Sequence, residues 1–375
     1  MTQTIDTAAP DIVRVPYEDL LDFVTDVFTH HGVPPERARA AAEGLCYGDL
    51  AGFASHGVVN LTRLYLPLLT SGRADPAADL VVTRDRGAAV AVDARRTLGL
   101  WAAGELMDLA IARANEHGVG LVAARDMTHI GCAGGHVLRA ARAQMIGVIA
   151  SNCGRQRIAR PPGGGLPMLG TNPLGVAAPA GPHPPFVLDM STTVVPTGKV
   201  RLAAREGSPA PEGWLYDDHG RPVTDPAAFD RGEAHLTWLG GRPETGVYKG
   251  YGLGLTVEVL AALLSGSGMG PEPEALDGDG RPSGRDDDIG MFVLAIKPGL
   301  LRDEESFTAD AAALFGTLLN CPPLNPDAPV RYPGWHEAER AAHNASAGVP
   351  LPRSIHAELR DLAADLGLAA PFGGE

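Results

Sequence analysis

Cysteine is scarce in this sequence: Cys46, Cys132, Cys153 and Cys321 stand far apart, with no CxxC pair among them. That spacing builds neither a zinc knuckle nor a disulfide frame and fits reduced thiols. Aromatic residues make up only 5% of the chain, so packing falls to Leu, Val and Ala and an aliphatic core is expected. Long hydrophobic runs are missing too. The strongest, residues 252–264, is shorter than the roughly 20 residues that cross a bilayer and is interrupted by Glu258. Basic residues number 31 against 45 acidic ones, a formal charge of -14, and no basic run interleaved with aromatics occurs, which argues against a nucleic-acid partner. The first residues, MTQTIDTAAPDIVRV, lack the basic start and apolar stretch of a signal peptide, so the cytoplasm is the expected location.

Several motifs are absent as well. The dinucleotide fingerprint GxGxxG is not completed: Gly250-Tyr251-Gly252-Leu253-Gly254 lacks the last glycine, and Gly266-Ser267-Gly268-Met269-Gly270 runs into Pro271. A standard Rossmann sheet is therefore not expected. There is no GxxxxGK[ST] loop, HExxH helix or GxSxG elbow, and Asp277-Gly278-Asp279-Gly280 lacks the closing glutamate of a calcium loop. No metal site is predicted.

What is present is a long, well-patterned globular chain. Its 375 residues, 45% hydrophobic and 20% charged, exceed what one core usually holds, so two or more lobes are expected. Helical spacing predicts helices over 17–30, 36–50, 58–69, 98–116, 134–144, 197–205 and 250–264. Apolar runs predict strands at 81–82, 88–92, 119–124, 145–151, 174–178, 186–188 and 291–296, the first two as a hairpin. Residues 206–243 read as a turn-rich surface excursion, and the end of the chain as three helices, 304–319, 335–347 and 355–366. The expected organisation is an N-terminal tail over 1–15, a helical substrate-side region with a small β unit over 16–125, a central α/β domain over 126–300, and a C-terminal helical region over 301–375 that packs back on the first lobe.

Two histidines stand in similar surroundings, Ser55-His56-Gly57 and Thr128-His129-Ile130-Gly131. Each has a hydroxyl before it and a glycine close behind. Histidine suits proton transfer near neutral pH, and a neighbouring hydroxyl can orient the ring, although a lone SHG is equally compatible with a hydrogen-bonded structural residue. A hydrolytic pairing of Ser55 with His56 is disfavoured, since adjacent residues rarely point at each other and no nucleophile elbow is present.

Six segments occur in an order that resembles the type 2 malate/L-lactate dehydrogenase family: Ala54-Ser55-His56-Gly57-Val58, Thr128-His129-Ile130-Gly131 with Ala133-Gly134, Leu169-Gly170-Thr171-Asn172-Pro173-Leu174, Val187-Leu188-Asp189-Met190-Ser191-Thr192, Thr197-Gly198-Lys199-Val200, and Tyr248-Lys249-Gly250-Tyr251-Gly252-Leu253. Pro211-Glu212-Gly213-Trp214, Arg331 and Pro333-Gly334 add to the likeness, which extends over residues 17–368. The resemblance implies a mixed α/β, non-Rossmann NAD(P)-binding fold with helical N- and C-terminal parts, in which 126–300 carries the cofactor. It implies a homodimer that transfers hydride between NADH or NADPH and a small 2-oxo acid, 2-hydroxy acid or cyclic imino acid.

For individual residues the resemblance implies that His56 and His129, with Ser55, are catalytic, one histidine exchanging the proton. His56 is the favoured one. Thr171 lines the substrate cleft, and Asn172, Pro173, Asp189, Met190, Ser191 and Lys249 contact the cofactor. Gly334, Trp335 and His336 match a cofactor-contacting turn, although relatives usually carry glutamate where Trp335 stands. The clearest departure is Asn60, which replaces an arginine that holds the substrate carboxylate in many relatives. A bidentate cation is thereby lost from that position. Arg63, Arg155 or Arg157 could compensate; otherwise the substrate is not a simple carboxylate, or the chain is a cofactor-binding member that has lost its catalytic activity. His136 stands where relatives commonly have an aromatic.

Overall fold

The computed structural model describes residues 12–370. The chain opens with β1 (Ile12–Val15) and the helices α1 (Tyr17–His30) and α2 (Pro35–Ala51). In α1 the periodic residues Leu20, Leu21, Phe23, Val24, Val27 and Phe28 are all buried. α2 carries Pro35 in its first turn, where the missing N–H would have no partner anyway, and stops at Gly52 in the left-handed region (φ 88°). The expected tail needs correction at its end. Ile12–Val15 pairs antiparallel with Val349–Pro352, and of the expected tail residues 1–11 lie outside the described residues.

A 3-10 turn at Ala54–His56, a π-type turn at Leu61–Tyr65 and the short α3 (Leu66–Thr70) follow. Then come β2 (Val81–Asp85), β3 (Ala89–Thr97), α4 (Gly99–His117), β4 (Val119–Met127), α5 (Ala133–Arg142), β5 (Ile146–Ser151), β6 (Leu174–Ala180), β7 (His183–Met190) and α6 (Thr197–Glu206). The small elements β8 (Leu215–Tyr216), β9 (Pro222–Val223), α7 (Ala227–Asp230) and β10 (His235–Leu236) precede α8 (Val247–Val257), which continues as a π-type turn over Glu258–Leu263. β11 (Ile289–Ile296), α9 (Glu304–Leu319), α10 (Trp335–Ala347), β12 (Val349–Pro352) and α11 (Arg353–Leu366) complete the chain.

Seven strands form one mixed sheet in the order β2-β3-β4-β11-β5-β6-β7. Its β3–β4 pair is parallel, and β2 and β3 make the expected hairpin. β4, α5 and β5 form a crossover that leaves a gap one strand wide, and β11 fills it antiparallel to both neighbours. A strand in that position is covered on both faces, and its side chains alternate accordingly. Met291, Val293 and Ala295 join the large core with α4 and α5, while Phe292 and Leu294 pack with Val257 and Ala261 on the opposite side.

Two expectations about organisation change. The boundary drawn at 125/126 falls inside β4, one strand of a sheet shared by both proposed regions. The stretch 206–243 is not a bare surface excursion, because β8, β9 and β10 pair into a small sheet over Val200, Leu215, Phe229 and Leu236, all buried. At the C-terminus α10 packs on α2, with Asn344 Nδ2 donating to the Leu50 carbonyl at 2.9 Å. Among the described residues no helix is long and apolar enough to cross a membrane.

One close approach governs how the stretch that carries His56 is held. A Cβ on Gly48 would stand 2.7 Å from the Gly57 nitrogen and 2.8 Å from the His56 carbonyl carbon, against backbone that cannot turn aside. Gly48→Ala should therefore cost about 1–3 kcal/mol in urea denaturation, the usual penalty for overpacking. Gly165→Ala, where a Cβ meets nothing within 4 Å, should change stability by less than about 0.5 kcal/mol.

Candidate active site

The turn that presents His56 is built from the end of α2. Gly48 passes under Gly57, and the buried Asp49 accepts the Val58 N–H at 2.7 Å, which starts the next helix. A Cβ on Gly57 would collide with that carboxylate, 2.1 Å from Oδ2, so glycine is required there. Burial pushes Asp49 up to about 7. Asn60 Nδ2 donates to the Ser55 carbonyl at 2.9 Å and clips the turn from the other side. Asn60, expected at the substrate-binding position where relatives carry arginine, thus fastens the backbone and does not line the cavity.

His129 lies in the connection after β4 and is held differently. The Gly131 N–H donates to its Nδ1 at 3.1 Å, with Gly131 in the left-handed region (φ 74°), and the buried Tyr65 hydroxyl reaches the same nitrogen at 3.0 Å. A nitrogen that accepts a backbone N–H carries no proton, so the neutral ring has its hydrogen on Nε2 and offers a donor. His136 supports the loop: its buried ring places Nε2 2.8 Å from the Ile130 carbonyl, and burial lowers its pKa to about 4.

The His56 and His129 rings lie 6.2 Å apart between centroids, inclined by 28°. His56 Nδ1 is 3.0 Å from Ser55 Oγ, so these adjacent side chains do meet, contrary to expectation. A hydroxyl can donate or accept, and this contact leaves the tautomer of His56 free to change. Burial lowers His56 to about 4, helped by His129 and the Lys199 ammonium. Burial also lowers His129, with Asp286 acting in the opposite sense.

Both rings face a cavity of about 350 Å³. Pro173, Met190, Val194 and Leu239 give it an apolar wall, and Thr171, Ser191 and Gln156 supply polar groups. Such a lining, beside two imidazoles, fits the flat face and carboxamide of a nicotinamide ring. Asp189 also lines the cavity, but its Oδ2 accepts the Gly134 N–H at 2.7 Å and caps the first turn of α5, and burial raises it to about 6.

Other expected site residues lie elsewhere. Asn172 is fully buried at φ 40°, its Nδ2 donating to Glu258 Oε2 at 2.8 Å and to the Gly254 carbonyl at 2.9 Å. Its amide nitrogen is committed to these two acceptors, and it does not line the cavity. Lys249 is exposed and lies outside this cavity, its ammonium 5.9 Å from the Tyr248 ring. Gly334, Trp335 and His336 open α10 beside β7, where Trp335 Nε1 donates to Glu339 Oε1 at 2.8 Å, again outside the cavity. Arg63, near Arg205, Arg201 and Glu358, does not line the cavity either. Arg155 pairs with Glu272 and Asp288, and Arg157 donates to the Gly270 carbonyl at 2.9 Å.

Sequence reasoning missed Asp49, Tyr65, Lys199 and Asp286 as functional residues. Tyr65 and Asp49 flank the SHG segment closely enough to have been suspected. Lys199 stood in a noted motif, while Asp286 had no local signal.

The family model described as malate/L-lactate dehydrogenase matches residues 15–360. A malate dehydrogenase of Pyrococcus horikoshii is 40% identical over 255 residues, 68% of this chain and 69% of that protein. The L-sulfolactate dehydrogenase of Methanocaldococcus jannaschii is 31% identical over 92% of this chain and 95% of its own length. The crystal structure of malate dehydrogenase from Entamoeba histolytica superposes with a TM-score of 0.88 at 28% identity, covering 96% of this chain and all (100%) of that one. With a matched model over most of its length and the same architecture in a solved relative, the chain belongs to the malate/L-lactate dehydrogenase family.

Proposed function

We propose that this protein transfers hydride between NADH or NADPH and a small 2-oxo acid, 2-hydroxy acid or cyclic imino acid, with His56 as the proton carrier and His129 as a fixed hydrogen-bond donor. The observation that carries the reading is the unequal bonding of the two rings: a backbone N–H fixes His129, whereas a rotatable hydroxyl faces His56. His129 Nε2–H holds the substrate oxygen or nitrogen and stabilises negative charge as it develops there. Neutral His56 takes the proton during oxidation and returns it during reduction, with Ser55 adjusting to either state. The bound cofactor supplies or accepts the hydride. Pro173, Met190 and Leu239 would face its ring, and Ser191 its carboxamide.

A second copy of the chain is the proposed partner. Tyr248, Leu255, Val259 and Leu263 are 63%, 37%, 50% and 59% exposed and recur along one side of α8 and its π-type extension. Apolar exposure of that kind marks a surface that another subunit covers. The four free cysteines fit the reducing environment of the cytoplasm.

Binding is tested by titrating the protein with NADH and NADPH and following fluorescence, then recording reduced-nicotinamide absorbance with pyruvate, oxaloacetate and a cyclic imino acid. Turnover of at least one is expected; absence of both binding and turnover would contradict the reading. His56→Ala should lower kcat by about 10²-fold or more, the usual range for a general acid-base group. His129→Ala should raise KM and lower kcat too, but by less than His56→Ala does. Because the lowered pKa keeps His56 neutral down to about 4, kcat/KM for hydroxy-acid oxidation should stay level from pH 7 to pH 5 and fall towards pH 4, while reduction, which consumes a proton, should quicken in that direction. Sedimentation velocity should show a dimer, and Val259→Glu should shift it to monomer.

A further inference from the structure

No arginine lines the cavity. Burial keeps the two histidines uncharged at neutral pH. The cation left in the lining is Lys199, and the carboxylates are Asp189 and Asp286. Asp189 is taken up by the Gly134 N–H.

Lys199 stands in the first turn of α6, whose start lies against the catalytic turn: a Cβ on Gly198 would be 3.5 Å from that of Ser55. Its charge acts on His56, and no carboxylate pairs with it among the described residues. Asp286 stands at the other histidine. It lines the cavity beside Ile289, and its charge acts on both His129 and Tyr65. Arg73 binds it from behind, donating to Oδ1 at 2.5 Å, but also binds Asp287 through Nε at 2.7 Å. Arg285 Nη1 also lies 4.0 Å from Asp287 Oδ2, so two guanidiniums serve the two carboxylates, and what the cavity meets is decided by which of these groups face it. Arg73 itself faces a neighbouring cavity of about 580 Å³ and does not line this one, so the catalytic cavity meets the carboxylate and not its counter-ion.

We propose that Lys199 and Asp286 give the active-site cavity two unlike poles and select a monoanionic substrate, whose acid group lies toward Lys199 and whose far end carries a neutral or cationic hydrogen-bond donor toward Asp286. This rests on the dehydrogenase reading above and narrows it. A second carboxylate or a sulfonate at the far end would meet Asp286 as a like charge in a partly desolvated site, which disfavours dianions such as malate, oxaloacetate and 3-sulfolactate. A hydroxyl or an ammonium group at the far end would instead donate to the Asp286 carboxylate.

The test compares kcat/KM for 3-hydroxypyruvate and oxaloacetate, two 2-oxo acids that differ at the far end, in the wild type, Asp286→Asn and Lys199→Met. The wild type should prefer hydroxypyruvate by about 10-fold or more. Asp286→Asn, which keeps an acceptor for Arg73, should bring the ratio near unity, chiefly through a lower KM for oxaloacetate. Lys199→Met should raise KM for both acids alike and so leave their ratio close to that of the wild type. Thermal melting checks that each variant is folded, and the wild-type ratio stands as evidence without either. Oxaloacetate as the better wild-type substrate, or a ratio unmoved in folded Asp286→Asn, would overturn the proposal while leaving the dehydrogenase reading intact. Failure of the wild type to bind either nicotinamide or turn over any acid would remove both.

Discussion

The crossing of Gly48 beneath the His56–Gly57 peptide is the constraint on which the rest of the site depends. Two backbones can approach this closely only where neither residue has a Cβ, and the contact draws the catalytic turn onto α2. Asp49 then finds the Val58 N–H, and Asn60 reaches back to the Ser55 carbonyl, so His56 is held from both sides by bonds in which its own ring takes no part. α2 is itself pressed against α4, where a Cβ on Gly44 would lie 2.6 Å from the Leu100 carbonyl oxygen, and against α10 through Asn344. The ring is therefore positioned by the large core and not by a loop.

From that placement the chemistry of the pair follows. Both imidazoles are neutral near pH 7 because burial opposes their charge, but they are not equivalent. Gly131 sets the tautomer of His129, and Ser55 leaves that of His56 open. Lys199 and Asp286 then divide the cavity into unlike ends, one beside each histidine. On the proposed reading, reaction class and substrate preference thus sit on different residues.

Much of this was legible in the sequence because it depends on local pattern. The apolar period of α1, the glycine stops after α2 and α4 and the β2–β3 hairpin are local properties, and ordered motifs pointed to His56, His129, Met190 and Ser191. What was not legible depends on contacts distant in the chain. β11 enters between β4 and β5 because its side chains are apolar on both faces, which alternation alone does not reveal. Asn172 sits in a motif yet turns inward, since the buried Glu258 needs its amide. Asp286 lies in the irregular segment before β11, and Arg73, far away in sequence, holds it where its charge reaches His129. The segment 206–243 looked like a string of turns because its strands have two residues each.

The most direct measurement is ¹⁵N NMR of histidine-labelled protein near pH 7. The account predicts that His129 shows an unprotonated Nδ1 and a protonated Nε2, unchanged when a nicotinamide cofactor and a substrate analogue bind, while His56 changes its tautomer or protonation. A protonated Nδ1 on His129, or a His56 signal that stays fixed throughout, would contradict it.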